Sequence, residues 1–378
     1  MTTINNSIKV FLPEDQIKDI IQSIQKAVDT IADTTNTHRF MSDCHPCHGT
    51  TFVGWTFYLN DIFKIKPTYI GPDIGCGILV IPLKNRYSTK KLEKLVSFIK
   101  GFFPMGNQTM HKEPIVEDSY IDKFINSKEI EQSLEKLCKK IKVNYNNIKR
   151  TIGTLGGGNH YIEMNEDDMG NQYLSIHSGS RSLGHHILMY YMKHVDKDGY
   201  ITPEMAKEYI CDIILGQHFA QMNRHVMASI ILNQLDEIME NQIENYIENQ
   251  IESFHNFLDV DNKLLRKGAI SAKLDEPCIV SLNMKEGILI CKGLGNADYN
   301  YSCAHGCGRN MARSEVDHTN KKLKEFENIM KDVITVDVNK NTIDEAPFAY
   351  RDSKLIMDSI KETVIIEKQL RTIMNVKG

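Results

Sequence analysis

Residues 71–77 read Gly-Pro-Asp-Ile-Gly-Cys-Gly, and no regular helix can run through them. Glycine accepts backbone angles and close approaches that other residues cannot, and proline breaks helical hydrogen bonding. The stretch is therefore a tight loop, and everything around it must accommodate that loop. It carries one carboxylate, Asp73, and one thiol, Cys76. Asp-x-x-Cys on such a loop aims two anionic ligands at one point, and a thiolate can bridge two metal ions. Taken alone, the same residues describe a turn around a buried, inert thiol. The rest of the chain tips the reading toward a site, because His160, His177, His255 and His305 sit in glycine-flanked or asparagine-paired settings.

At 378 residues the chain can bury a large core, and its 41% hydrophobic and 25% charged residues are those of an ordinary globular protein. No run of about 18 apolar residues exists, so no membrane span is expected. The first residues lack the charged-then-apolar pattern of a signal peptide. Nine cysteines is an odd number in such a chain, which suggests reduced thiols and a cytoplasmic location. With a formal net charge of -4, any nucleic-acid contact must come from a local basic patch.

Apolar spacing predicts helices over residues 13–33, 90–101, 122–149, 203–254 and 353–374, the fourth with a polar back like a helical arm. Strands are expected at 51–59, 77–82, 174–176, 278–283 and 287–292. Cys44-x-x-Cys47 with His45 and His48 invites a zinc knuckle, but no second pair follows at finger spacing. Asp43 and His45 read instead as loop residues supporting a site. Residues 262–273 are basic and fit either a nucleic-acid groove or a solvated loop. No composition break divides the chain, so one compact domain with its site gathered from distant segments is expected.

Gly153-Thr-Leu-Gly-Gly-Gly-Asn-His-Tyr-Ile-Glu163 places Asn159, His160 and Glu163 directly after a triple glycine able to wrap an anion. It is neither a P-loop nor a dinucleotide fingerprint. His177-Ser-Gly-Ser-Arg181 suits a ligand at a strand end beside an arginine. In His305-Gly-Cys-Gly-Arg309, a histidine precedes a loop expected to enter a helix N-terminus, with Arg309 and Arg313 on one helical face. Asp73, Cys76, His160, His177 and His255 are one donor too many for a tetrahedral ion. They suit two ions sharing Cys76, and manganese, iron and zinc all remain open. Two metals would clamp a displacement at phosphorus, with His305 available as nucleophile. The same donors would equally serve a dinuclear phosphoesterase or cyclic phosphodiesterase that hydrolyses RNA ends without joining them.

Together, Pro72-Asp-Ile-Gly-Cys-Gly77, the 153–163 segment, His177–Arg181, His255-Asn256, His305–Arg309, Asp344-Glu-Ala-Pro347 and Lys377-Gly378 resemble the RNA-splicing ligase RtcB family, in order, over about residues 40–378. The resemblance implies an α+β fold: a single compact RtcB-like domain over 1–378, with central sheets flanked by helices. An N-terminal helical extension (1–39) and a helical insertion (203–254) complete it. It implies a GTP- and Mn(II)-dependent ligase that joins an RNA 3′-phosphate or 2′,3′-cyclic phosphate to a 5′-hydroxyl, in tRNA splicing or RNA repair. A cyclic phosphate is opened first, the active-site histidine is guanylylated, GMP passes to the RNA 3′-phosphate, and the 5′-hydroxyl expels it.

By position, the resemblance makes His305 the guanylylated residue. Asp73, Cys76 and His160 would hold one manganese, and Cys76, His177 and His255 the other, with Asp43 supporting from behind. Guanylate positions are Asn159, His160, Tyr161, Ile162, Glu163, His255, Asn256, Ser281, Leu282, Asn283, Met284, Ile288, His305, Gly306, Cys307, Gly308, Tyr350 and Lys377. Arg181, Arg309 and Arg313 fall where RNA phosphates bind. The partners implied are RNA and an activating protein, with the chain a monomer. Ser281-Leu-Asn-Met-Lys-Glu286 departs from the family's usual Pro-Gly-Ser-Met-Gly-Thr, and Cys307 replaces a small alanine. The chain is also shorter than many members, as a divergent RNA-repair paralogue would be.

Overall fold

The computed structural model describes residues 2–5, 7–12, 14–29, 37–46, 51–111, 128–236 and 249–378. Strands β1 (Thr2–Asn5) and β2 (Ile8–Val10) precede helix α1 (Glu14–Asp29), followed by β3 (His38–Pro46) and β4 (Phe52–Tyr58). The short helix α2 (Pro67–Ile70) leads through the glycine loop into β5 (Gly77–Pro82), then α3 (Thr89–Phe102). Helices α4 (Lys128–Lys140) and α5 (Tyr145–Lys149) come before β6 (Tyr161–Glu166) and β7 (Gln172–Ser178). Next are α6 (Arg181–Tyr191) and the long α7 (Pro203–Gln234). Strands β8 (Ile251–Phe254), β9 (Asn256–Asp259), β10 (Leu264–Lys267), β11 (Ala269–Ser271), β12 (Pro277–Ser281), β13 (Ile288–Gly293) and β14 (Ser302–Ala304) follow. Helices α8 (Asn320–Met330) and α9 (Ser353–Ser359) and strand β15 (Val364–Lys377) end the series.

Six strands pair in the order β1-β2-β3-β4-β10-β9, seven in the order β12-β13-β15-β6-β7-β5-β8, and β11 pairs with β14. The result is a single α+β domain with a long helix, as expected. β5 reads Gly-Ile-Leu-Val-Ile-Pro, an apolar run that only a strand covered on both faces can bury. Leu79 and Ile81 point toward α3 and α7, meeting Leu95, Ile99, Met227 and Ile231. Ile78 and Val80 point the other way, against Tyr161, Tyr173, Ile279 and Leu370. Each such side chain contributes about 1.5–3 kcal/mol on burial, so the register of this sheet is strongly fixed.

That register gathers the site. Gly77 is opposite both Ser178 and Phe254, and Tyr161 is opposite both His177 and Lys377. Neighbouring strands run antiparallel, so the start of β5, the start of β6 and the ends of β7, β8 and β15 all lie at one end of the sheet. Strand pairing therefore brings Cys76, His160, His177, His255 and Lys377 to the same end of the sheet.

Several elements differ from the sequence reading. Residues 353–374 are not one helix: α9 stops at Ser359, and 364–377 is strand β15. The run beginning Val364-Ile-Ile is β-branched and finds partners on both sides, in β13 and β6. Helix α7 ends at Gln234, and Ile251–Phe254 is a strand paired with β5, so the stretch 203–254 is shorter as a helix than expected. Ile243 and Ile247 lie outside the described residues. Of the helix expected over 122–149, residues 122–127 lie outside the described residues and the rest divides into α4 and α5, with Lys142 between them at φ 58. Asp43 and His45 lie in strand β3, not in a loop. Cys47 and His48 lie outside the described residues. The basic stretch 262–273 forms β10 and β11, where Arg266 and Lys267 are buried and bonded to Ser302 Oγ and the Ile70 carbonyl, so it is not an open groove. Among the described residues, no helix is long and apolar enough to cross a membrane.

Candidate functional site

The five expected donors converge. Cys76 Sγ lies 3.4 Å from His160 Nε2 and 3.2 Å from His177 Nε2. His160 Nε2 lies 3.3 Å from Asp73 Oδ2, and His177 Nε2 lies 3.3 Å from His255 Nε2. Cys76 thus stands between an Asp73–His160 side and a His177–His255 side. Cys76, His160 and His177 form the tightest group, with ligand atoms all within 4.8 Å of one another.

The rings are oriented for metal binding. His160 Nδ1 lies 3.0 Å from the Leu155 carbonyl, and His177 Nδ1 lies 3.1 Å from the Asn159 carbonyl. A carbonyl only accepts, so each Nδ1 carries the proton and each Nε2 presents a lone pair to the cluster. His255 Nδ1 is buried without a hydrogen-bond partner. Burial, followed by the neighbouring His160 and His305, pushes the His177 and His255 imidazoles well below the ordinary histidine range. They are neutral donors. Burial opposes ionisation of Asp73, but His160, Cys76 and His177 together outweigh it and hold the carboxyl far below the usual range. Burial, reinforced by Asp73, pushes the Cys76 thiol well up, so a cation binding there must displace its proton. A carboxylate, neutral imidazoles and a thiol with convergent lone pairs fit divalent transition metals.

Gly156, at φ +102, explains part of the triple glycine. A Cβ there would strike His160 Nδ1 and the Arg181 guanidinium. Arg181 donates to the Gly106 carbonyl (2.6 Å) and Thr154 Oγ1 (3.2 Å), so it braces this loop.

His305 sits beside the cluster, its ring centroid 4.8 Å from that of His255. Its Nδ1 lies 2.6 Å from Asp43 Oδ2, which also accepts from the backbone N–H of His305 at 3.0 Å and of Gly306 at 3.3 Å. Asp43 reaches it because β3 loses register with β4 between Phe40 and His45. Opposite that break is Gly54, where a Cβ would fall 2.6 Å from Asp43 Oδ1. With Nδ1–H donated to the carboxylate, Nε2 of His305 keeps its lone pair.

A cavity of about 300 Å³ opens beside these groups. Asp73, His177, His255, Asn256 and His305 line it, with Asn159, Tyr161 and Glu163 from the start of β6. Ser281, Leu282, Asn283 and Met284 also line it, side by side with the loop Gly306, Cys307 and Gly308. Ser281 exchanges backbone hydrogen bonds with His305 (2.9 Å) and Cys307 (3.0 Å), and its hydroxyl lies 3.2 Å from Tyr161 OH. The divergent segment is closed by its own hydrogen bonds: Asn283 Oδ1 accepts from the Lys285 and Glu286 N–H groups, and Asn283 Nδ2 donates to Glu286. Glu163 accepts from Asn165, Asn375 and Thr372, and burial raises its pKa. Ile162 and Ile288 do not line the cavity; they pack in the cores on either face of the sheet.

The far wall depends on Glu345, to which the sequence reading gave no role. Lys377 Nζ (2.9 Å), Tyr350 OH (2.6 Å), Arg309 Nη1 (3.4 Å) and Arg313 all bond to its carboxylate. Arg313 also pairs with Asp344 at 2.7 Å. Burial opposes ionisation of Glu345, but Lys377 and then Arg313 hold its pKa down at about 2. Arg309 and Arg313 do not share a helical face: regular structure here is only a 3-10 turn at Arg313–Glu315, and Glu345 is what brings them together. The cue available in sequence was Asp344-Glu345 before Ala-Pro, a pair that a turn would ordinarily expose.

Comparison with known proteins agrees with this arrangement. The family described as tRNA-splicing ligase RtcB matches residues 25–378. The RNA-splicing ligase RtcB of Escherichia coli (strain K12) is 28% identical, the alignment covering 83% of this chain and 84% of that one. RNA-splicing ligase RtcB2 of Escherichia coli (strain ATCC 25922) is 24% identical, covering 92% and 90%. The tRNA-splicing ligase RtcB of Methanococcus maripaludis is 22% identical, also covering 92% and 90%. With a match over nearly its whole length and the donor residues gathered at one sheet end, the chain belongs to the RtcB tRNA-splicing ligase family.

Proposed function

We propose that the chain is a GTP- and manganese-dependent RNA ligase that joins an RNA 3′-phosphate, or a 2′,3′-cyclic phosphate once opened, to a 5′-hydroxyl. The observation that carries this reading is the His305–Asp43 pair, which leaves His305 Nε2 as a free lone pair against the donor cluster. Asp73, Cys76 and His160 would hold one Mn(II), and Cys76, His177 and His255 a second. Bound there, the cations supply Lewis-acid polarisation of phosphoryl oxygens.

His305 Nε2 attacks the α-phosphorus of GTP, the bond to the bridging oxygen breaks, and pyrophosphate leaves. The Nδ1 proton stays on the ring, hydrogen-bonded to the Asp43 carboxylate, which stabilises the charged ring and fixes its tautomer. An oxygen of the RNA 3′-phosphate then attacks the same phosphorus, returning the P–N electron pair to Nε2 and giving RNA(3′)pp(5′)G. The 5′-hydroxyl attacks the RNA phosphorus and GMP departs. Glu163, buried and accepting hydrogen bonds, together with Asn159, Asn256, Tyr350 and Lys377, all lining the cavity, would hold the guanylate. Arg309, Arg313 and Lys377 outnumber Glu345 and Asp344, leaving net positive charge for phosphates.

The test uses two RNA oligonucleotides, one ending in a 3′-phosphate and one beginning with a 5′-hydroxyl, with GTP and Mn(II). Joined product that requires GTP and disappears in His305→Ala is expected. Removal of the terminal phosphate without joining, unaffected by His305→Ala, would overturn the reading in favour of a phosphoesterase.

A further inference from the structure

We propose that Asn223 and Arg224, adjacent residues in the middle of α7, are positioning residues that hold the segments bearing the five metal-donor side chains in register. Neither residue touches a donor atom, and both are fully buried. Asn223 Oδ1 accepts from the Gly153 and Thr154 N–H groups at 2.8 and 3.1 Å. Its Nδ2 donates to the Thr154 carbonyl (3.0 Å), Ser178 Oγ (3.0 Å) and the Gly179 carbonyl (3.3 Å). Arg224 Nη1 donates to the Gly75 carbonyl at 2.9 Å and the Ser178 carbonyl at 2.6 Å, and its Nε to Glu252 Oε1 at 2.6 Å.

Each partner lies close in sequence to a donor. Gly75 precedes Cys76 and follows Asp73 by two residues. Ser178 follows His177, and Glu252 stands three residues before His255 on β8. Thr154 precedes Leu155, whose carbonyl fixes His160 Nδ1 and also accepts from Ser178 Oγ. Asn223 must both donate and accept at one point, and arginine alone among side chains offers a rigid fork to two carbonyls and a carboxylate together. These bonds are buried, where loss of a partner is costly. Two consecutive residues of one helix therefore connect all the donor segments, whereas strand pairing fixes only the strand ends.

The inference rests on reading those donors as a metal centre. The same helix supplies a control. Asp212, also buried, pairs with Lys140 and Tyr191 and contacts none of the donor loops. The experiment is calorimetric titration of Mn(II) alone into the full chain for wild type, Asn223→Ser, Arg224→Lys and Asp212→Asn, with thermal unfolding of each. Asn223→Ser and Arg224→Lys should bind Mn(II) about 10–100-fold more weakly, the usual cost of losing a group that orients ligands. Asp212→Asn should lower the unfolding temperature with affinity unchanged. Should one position variant lose its fold, the other carries the test. Wild-type affinity in a folded position variant, an equal affinity loss in Asp212→Asn, or unfolding of both position variants would overturn the proposal, the last because the pair would then serve stability alone. Absence of Mn(II) binding by the wild type would instead sink the metal reading on which it rests.

Discussion

The donor cluster around Cys76 and the cationic wall around Glu345 meet at the same cavity but are built by different means. The cluster takes its residues from the ends of paired strands, so backbone register places them, and burial keeps His177 and His255 neutral. The wall takes Arg309, Arg313 and Tyr350 from turns, with only an isolated Arg309–Tyr350 bridge between them, and Lys377 from the end of β15; a single ionised carboxylate gathers their side chains. A metal centre requires lone pairs at fixed separations and gains from a rigid sheet. A phosphate-binding wall requires excess charge, which can be preassembled on a buried counter-charge.

The contrast can be tested from both sides. Cys76→Ala should have the largest effect. One sulfur serves both halves of the donor set, so elemental analysis should find loss of both metals, and two metals retained per chain would show the halves to be independent. Asp43→Asn should follow, lowering guanylylation between about 100- and 10,000-fold by releasing the His305 tautomer, as loss of the orienting carboxylate does in serine-protease triads. Metal content should stay at the wild-type level, and a variant short of metal would mean that His305 belongs to the cluster. Glu345→Gln should cost about 3 kcal/mol in urea denaturation, because it leaves the buried Lys377 without its counter-charge. A loss below about 0.5 kcal/mol would place the wall among surface ion pairs.

Acidification should separate the two regions most finely. Mn(II) binding displaces the Cys76 proton, so affinity should fall steadily with falling pH throughout the range below the raised thiol pKa. The Glu345 pKa is depressed from an unfolded value near 4.5 to about 2. Its stabilisation is therefore fully present above pH about 4.5 and is lost as pH falls toward about 2. Titration by calorimetry and denaturation at each pH should show metal released while the wall persists. Coincident losses would contradict the division.

The donors and His305 were legible in sequence because each is flagged by its flanks: glycines around Asp73 and Cys76, asparagine before His160, Ser-Gly-Ser after His177, asparagine after His255, and Gly-Cys-Gly after His305. Backbone that tight is rarely needed except beside a ligand. Glu345 was not legible, since its role is set by cations that arrive from Arg309, Arg313 and Lys377 in three dimensions. Asn223 and Arg224 were hidden for a related reason: inside a long helix, polar residues read as its wet face, yet α7 is buried on that side too. Strand β15 was read as helix because its Ile, Leu and Met spacing satisfies a period near 3.6 as well as alternation. Its β-branched start and the two strands awaiting partners decide the outcome.

The most direct test of the account is incubation of the metal-loaded chain with GTP labelled at the α-phosphate, followed by peptide mapping of the trapped label. The expected result is a single acid-labile phosphoramidate on the peptide containing His305, lost in His305→Ala. Label on any other residue, or no covalent label while GTP is consumed, would contradict it.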